Sequence, residues 1–578
     1  VSTLFAQFGE IWLLDFEFGN HPGELPVPRC MVAREHRSGR VLKFWADELR
    51  EMSSSPFDDC GRTPLLVAYY ASAEVGCFLA LGWPVPPAIL DLYVEFRNLT
   101  NGKCSKQRSS LLDALAAFGL PSISTEAKDH MRRLALRGEP YSASERNALL
   151  QYCANDVDAL AQLLDVMADK IDLPRALIRG RYMRDVAHIE RNGIPIDQRR
   201  CDRLKLAWPN IKKELIREVD ESFNVYEQET FCEKKFEEYL RANAMSWPRL
   251  RDGRLELNDD TFREMRRVYP QITSLHELRV SLAQLGVNKI SIGPDGRNRY
   301  LLSPFRASTS RNQPSSTASI FGPAVWIRGL IRPDPGYGLA YIDWSQQEFG
   351  IAAALSGDAA MLAAYKSGDP YLKFAKQAGA VPADATKKSH HSIREQFKAC
   401  ALAVQYGMGG QSLGERIGHS AARAQELLAL HRSTYPVFWK WSDAAVDKAM
   451  LESRLTSTFG WQVHIGPTAN PRALRNFPMQ ANGAEMMRLA VRFALDRGVT
   501  LNAVVHDALL IEAPFERLDQ AIATTQSAMA MASREVLGGI SLRSDVQSIP
   551  YPHRFRDRRG TNMWNTVWSI VAKLERSR

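Results

Sequence analysis

Residues 394–410, REQFKACALAVQYGMGG, carry Arg394, Lys398, Leu402 and Tyr406 at four-residue steps. That spacing keeps all four side chains on one face of a helix, with two cations near its start and an apolar and an aromatic group further along. Such a face suits a triphosphate at one end and a base or sugar at the other. An isolated R-x3-K also fits an ordinary amphipathic surface helix, so the flanking sequence has to decide.

Upstream, LAYIDWSQQEFG runs apolar from Leu339 to Ile342 and reads as a buried strand that delivers Asp343 to its end. Ser345 and Glu348 have capping-box spacing, so a helix is expected to start there. Downstream, NAVVHDALLIEA sets His506 and Asp507 between two apolar, β-rich segments, as at a hairpin tip. Two acids at separate strand ends suit divalent cations, because Mg²⁺ is held by a few carboxylates plus substrate phosphates.

These segments resemble motifs A, B and C of family A DNA polymerases: Asp343-Trp-Ser-Gln-Gln-Glu348, Arg394-x3-Lys398-x7-Tyr-Gly and Val505-His506-Asp507. A fourth, Arg472-Ala-Leu-Arg-Asn476-Phe-Pro-Met-Gln480, is similar to the family's minor-groove segment near the primer end. The four stand in family order between residues 306 and 514. The resemblance implies that Asp343 and Asp507 bridge two Mg²⁺ ions, that Arg394 and Lys398 grip the triphosphate, and that Glu348 crowds a ribose 2′-hydroxyl. It places Tyr406 beside the templating base, and Arg311, Arg472, Asn476, Gln480 and His506 against DNA. Outside the resemblance, Glu348 reads as part of a cap, and Tyr406 and Leu402 as core residues. Three positions depart from the pattern. Leu402 stands where an aromatic usually meets the sugar, Ala508 where motif C commonly has Glu, and Tyr371 where a His often contacts the triphosphate.

A second constellation lies near the start. IWLLDFEFGN is an apolar strand whose Asp15 and Glu17 project to the same side, and YCANDVDAL puts Tyr152 and Asp156 four apart on a helix. Together they resemble the first and third motifs of DEDDy 3′–5′ exonucleases, which implies metal ligation by Asp15, Glu17 and Asp156, two Mg²⁺ ions, and a water oriented by Tyr152. The middle motif is altered: Tyr70-x3-Glu74 replaces Asn-x3-Asp, with Asp91 following. Glu74 keeps the charge on a longer arm; its ordinary reading is a solvated acid on a helix face.

The expected architecture is α/β and multi-domain: a ribonuclease H-like exonuclease at 1–172, a thumb with linker at 173–300, and a palm at 301–578 with fingers inserted at about 350–425 and a basic tail. A helix is expected to start near Pro478, with Arg472 approaching from a loop. Lys212 with Lys213 and Lys234 with Lys235 suit duplex phosphates or solvated helix faces. The chain of 578 residues is too long for one core, and its net charge of +9 suits a phosphate backbone. Eight cysteines form no C-x2-C pair, which argues against structural zinc, and Cys400 reads as packing. No run of about 20 apolar residues and no signal-peptide pattern is present, so no membrane partner is expected.

The partners implied are primer-template DNA and deoxynucleoside triphosphates, with any processivity partner left open. The setting implied is the cytoplasm of a bacterial or phage-infected cell, at the nucleoid, in a phage-type replicase. The start of the chain leaves no room for a 5′-nuclease domain, and the initial Val points to an upstream segment having been trimmed. The competing readings are a DNA-binding accessory protein and an exonuclease with an inactive polymerase half.

Overall fold

The computed structural model describes residues 4–57, 63–103, 108–121, 125–250, 252–284, 290–315, 317–322, 324–405, 407–466 and 469–576. The chain divides into two compact units. One comprises 1–193, 301–314 and 339–548; the other comprises 194–300, 315–338 and 549–578.

Among the described residues the first unit holds two larger sheets and a two-stranded one, Arg454–Thr456 with Gln462–His464. The N-terminal sheet has five strands in the order Val41–Trp45, Val27–Glu35, Ile11–Gly19, Leu65–Ala68, Ala88–Asp91. The first three are antiparallel to one another in turn, whereas Ile11–Gly19, Leu65–Ala68 and Ala88–Asp91 are mutually parallel. Parallel neighbours require a crossover, and the Ala71–Leu81 helix supplies one of them. Leu13, Val32, Val67 and Leu90 bury one face of this sheet against Leu149, Val157 and Leu160 of the Ala143–Met167 helix.

The second sheet has four strands in the order Thr500–Val505, Ala508–Pro514, Tyr337–Trp344, Ser544–Pro550. Of its central strands, Ala508–Pro514 is buried at all but its last residue and Tyr337–Trp344 at five of eight, as expected of an apolar run. A helical run from Gln347 to Glu452 follows Tyr337–Trp344, and the 25-residue helix Pro471–Leu495 packs beside Leu518–Val536.

One helix, Leu173–Asn192, lies against both larger sheets. It packs on Ala88–Asp91 so closely that a Cβ on Gly180 would come 1.9 Å from the Ile89 carbonyl oxygen. At its far end Asn192 Nδ2 donates to the Leu501 carbonyl (2.8 Å), and Asn502 Nδ2 donates to the Gly193 carbonyl (2.8 Å). In its middle, Arg179 forms a buried two-pronged pair with Glu95, both bonds 2.7 Å. Satisfying that guanidinium with a fork of carboxylate oxygens is what makes its burial tolerable.

The second unit is built on the Gln198–Asp220 helix, capped by Asp197 and packed against the C-terminal helix Thr561–Arg576. Trp208 stacks on Trp326, and Trp326 meets Trp564. The basic tail is engaged locally: Arg328 pairs with Asp557 at 2.8 Å, Arg203 with Glu575 at 2.7 Å, and Arg554 with Asp197. Lys212 and Lys235 lie 3.5 Å from Glu229 and Glu227, as on solvated helix faces.

Two local expectations are corrected. Ser345 and Glu348 form no capping box: the helix Gln347–Ser356 is entered through Gln346 in a left-handed conformation (φ 49°), with no side-chain cap. Ser345 N–H instead donates to the Arg543 carbonyl at 2.9 Å, which spends it on the neighbouring strand. The second correction is the start of the helix that carries Arg472, Asn476 and Gln480, which begins at Pro471 and passes through Pro478. Asn470 caps it by accepting from Arg472 N–H (2.9 Å) and Pro471 sits in the first turn, so Asn-Pro was the true start signal.

Candidate active sites

Asp343 sits next to last in its strand, and Asp507 sits in the two-residue turn between Thr500–Val505 and Ala508–Pro514. That turn is tight enough to hold His506 at φ 56°. Trp344 N–H donates to the Asp507 carbonyl at 3.3 Å, so the two strand ends are adjacent. Partial burial, then the Asp507 and Asp545 charges, push the Asp343 carboxyl up to about 6. Asp507 is also raised, by burial, with Arg311 and His506 pulling the other way. Two carboxyls that resist ionising side by side form a donor set that a divalent cation relieves.

Arg311 reaches into this region from the irregular segment 301–314. Its Nη2 lies 3.6 Å from Glu348 Oε1, and its Nε donates to the Gln480 carbonyl at 3.4 Å. A Cβ on Gly483 would sit 3.2 Å from Gln347 Oε1 and 3.5 Å from Arg311 Nη2, so the missing side chain leaves both groups room. Arg472, Asn476 and Gln480 follow at four-residue steps on one helix. Among the described residues Asn476 Oδ1 is buried with no hydrogen-bond partner, and Arg472 packs over Gly407.

The Arg394–Lys398–Leu402 stripe forms on the helix His391–Gln405; Tyr406 lies outside the described residues. Lys398 and Leu402 line a cleft of about 510 Å³ with His391, Glu395, Ile417 and His419. Leu402 is therefore not a fully buried core residue. Arg394 is nearly buried: Nε donates to Asp369 Oδ2 (2.6 Å), Nη1 donates to Glu395 Oε1 (2.5 Å), and the guanidinium lies 5.5 Å from the Tyr371 ring centroid. Burial pushes the Tyr371 phenol up to about 12, so it faces its neighbours as a neutral group. Asp369 also caps the helix Pro370–Gln377, and the Asp-Pro pair was the signal that went unread. Cys400 is buried and donates to the Leu427 carbonyl (3.3 Å), as a packing residue does.

In the N-terminal sheet the ligand atoms of Asp15, Glu17 and Asp156 lie within 4.8 Å of one another. Among the described residues Asp15 Oδ2 is buried with no hydrogen-bond partner, and burial together with the Asp156 charge pushes its carboxyl up to about 8. Burial, then the Asp15 charge, raises Glu17 well above the usual carboxylate range. An orphaned buried oxygen among mutually repelling carboxyls fits a cation. Tyr152 is buried one turn before Asp156, and its phenol is raised by burial and by the Asp156 and Glu17 charges. Lys128 also acts on all three carboxyls, and in the sequence nothing separates it from the other cations of its segment.

Glu74 is not a solvated surface acid. It is 4% exposed, and Oε2 accepts from Phe16 N–H at 2.9 Å, on the strand between Asp15 and Glu17. Its helix is entered through Tyr70 in a left-handed conformation (φ 75°). Asp91 holds that entry, accepting from Ala71 N–H (2.7 Å), Tyr70 N–H (3.3 Å) and Val94 N–H (3.1 Å), while burial pushes its carboxyl up to about 7.

No helix among the described residues is long and apolar enough to cross a membrane. In overall fold the chain is similar to the POL domain of Pol1 from M. smegmatis, solved in complex with DNA primer-template and dNTP, with a TM-score of 0.70 and 17% identity over 95% of this chain and 97% of that one. In sequence it is similar to DNA polymerase I of Aquifex aeolicus (strain VF5), 23% identical over 446 residues, which is 70% of this chain and 75% of that protein. The DNA polymerase of Mycobacterium phage D29 is 26% identical over 228 residues, 39% of this chain and 37% of that protein. Thermostable DNA polymerase I of Thermus thermophilus is 25% identical over 221 residues, and there the chain spans only 26% of its relative. The model of DNA polymerase family A matches residues 322–548, a stretch that contains Asp343, Asp507 and the Arg394–Lys398 helix. On that match, the stretch 322–548 is similar to DNA polymerase family A.

Proposed function

We propose that this chain is a template-directed DNA polymerase that extends a primer 3′ end with deoxynucleotides, and that its N-terminal sheet carries a 3′–5′ exonuclease. The observation that carries the first part is the pairing of Asp343 and Asp507 at adjacent strand ends, both carboxyls raised by burial. Two Mg²⁺ ions bound there would supply charge neutralisation for the primer hydroxyl and for the leaving pyrophosphate.

The chain's own residues do the rest. Asp343 and Asp507 would hold the cations. Lys398, 41% exposed in side chain and facing the cleft, meets the triphosphate as a point charge or proton donor. Arg394 exchanges Asp369 or Glu395 for phosphate oxygens, and Tyr371 holds its guanidinium plane. Glu348, without a capping duty and tethered by Arg311, stands against a ribose 2′-hydroxyl. Arg311, Arg472, Asn476, Gln480 and His506 meet the primer-template. Minor-groove acceptors are shared by all base pairs, so such contacts check geometry and not sequence.

In the exonuclease, Asp15, Glu17 and Asp156 would hold two Mg²⁺ ions, Tyr152 would orient the attacking water, and Glu74 fixes the strand that carries Asp15 and Glu17. The setting is the bacterial or phage-infected cytoplasm, at the nucleoid. Residues 1–172, 173–300 and 301–578, with fingers at about 350–425, serve as exonuclease, thumb with linker, and palm.

The test is extension of a labelled primer on four templates that differ in one base. Incorporation of the complementary nucleotide in each supports the reading; incorporation independent of template, or none in Mg²⁺, contradicts it. Degradation of the same primer without nucleotides, lost in Asp15→Ala with Glu17→Ala, tests the exonuclease separately.

A further inference from the structure

The strand Ser544–Pro550 lies beside Tyr337–Trp344, on the side away from Asp507. Two hydrogen bonds fix its register: Ser345 N–H to the Arg543 carbonyl (2.9 Å) and Tyr551 N–H to the Tyr337 carbonyl (3.1 Å). Residue numbers rise along one strand as they fall along the other, so the pairing is antiparallel. Two steps back from Ser345 and two forward from Arg543 give Asp343 opposite Asp545. Six steps from the Tyr337–Tyr551 pair give the same partners, so no net bulge intervenes. Directly opposed residues share a face, with Cβ atoms about 5 Å apart.

Asp545 is exposed, and among the described residues its carboxylate has no ion pair or hydrogen bond. A like charge directly opposite Asp343 destabilises an empty sheet, so the pair needs a counter-charge to be tolerated. Position 508, which follows Asp507, offers none of its own chemistry: Ala508 is fully buried. Asp343 thus has one carboxylate on each side, Asp507 from the turn and Asp545 from the edge strand.

Resting on the polymerase reading above, we infer that Asp545 is a further positioning residue of the polymerase centre, adding a third negative charge to the divalent cation held by Asp343. It takes over a charge that the buried Ala508 does not supply. Because the strand is exposed, Asp545 acts through waters of the cation as well as through its field, and Mg²⁺ retains such waters readily.

The experiment uses the full chain carrying Asp15→Ala and Glu17→Ala, so that the N-terminal site contributes no metal signal. Mn²⁺ binding is followed by electron paramagnetic resonance with dideoxy-terminated primer-template and the matching deoxynucleotide, alongside the Mg²⁺ dependence of primer extension. Asp545→Asn is expected to weaken Mn²⁺ binding about tenfold and to raise the half-saturating Mg²⁺ similarly, with much of the rate recovered at high Mg²⁺. Asp545→Glu is expected to keep most of the affinity. Unchanged Mn²⁺ affinity in Asp545→Asn overturns the inference, whether or not stability or DNA binding alters. A parent protein that extends no primer in Mg²⁺ overturns the polymerase reading itself, and the inference with it.

Discussion

At the scale of single residues, what was legible in the sequence was chemistry at fixed spacing. Asp343 and Asp507 stand at strand ends, Asp15 and Glu17 within a strand and Asp156 on a helix face, all in elements that hydrophobic period alone predicts. Their partners were not legible, because Asp369 meets Arg394 across 25 positions and Glu348 meets Arg311 across a loop. The freed Glu348 makes a clear prediction: Glu348→Ala should raise ribonucleotide incorporation relative to deoxynucleotide by about tenfold or more, measured as the ratio of kcat/KM for the two sugars. An unchanged ratio would return Glu348 to a structural role. Leu402→Tyr should change the dideoxy-to-deoxy ratio more than overall extension, since Leu402 lines the cleft beside Lys398. A uniform loss with both sugars would indicate overpacking instead. Acid also discriminates. The Asp343 carboxyl is raised to about 6 without metal, and only its ionised form binds a cation. At low Mg²⁺, extension should fall as pH drops through about 6, and more Mg²⁺ should move that fall to lower pH.

Elements were read well where a single period ran unbroken and poorly where two start signals competed. Pro478 predicts a helix start because proline favours first turns, but Asn470 and Pro471 already supply the cap upstream. Ser345 had the spacing of a cap and was claimed by strand pairing, a tertiary demand that no local pattern contains. The closest approach between elements is Gly180 on Ile89, and it was invisible in sequence. Gly180→Ala should cost about 3 kcal/mol or more in unfolding by denaturant, because the clash is with backbone and cannot be relieved by a rotamer. The strand bearing Asp15 carries a charge cost of its own. The folded protein favours the protonated acid, its pKa raised from 3.8 to about 8, so metal-free stability contributed by this group is lost as pH rises through that window. In EDTA at pH 8, Asp15→Asn should therefore melt higher than the parent by on the order of 2–4 °C, with the gap closing or reversing in Mg²⁺. A parent that melts no lower than the variant in EDTA would contradict the cation-site assignment.

For the whole molecule, the sequence announced two chemical centres and a basic surface, but not how the chain is shared out. Residues 315–338 and 549–578 cluster with 194–300, a division carried by Trp208, Trp326 and Trp564 and by Arg328 with Asp557, all remote in sequence. Both carboxylate centres fall within the other unit, where Leu173–Asn192 touches both larger sheets. The central claim is that Asp343 and Asp507 hold the cations of nucleotide transfer, and single-turnover incorporation by rapid quench tests it most directly. In Mg²⁺, Asp343→Asn and Asp507→Asn should each slow incorporation by about 10³-fold or more while primer-template affinity stays within about threefold of the parent. Incorporation at near the parent rate in either variant would contradict the account.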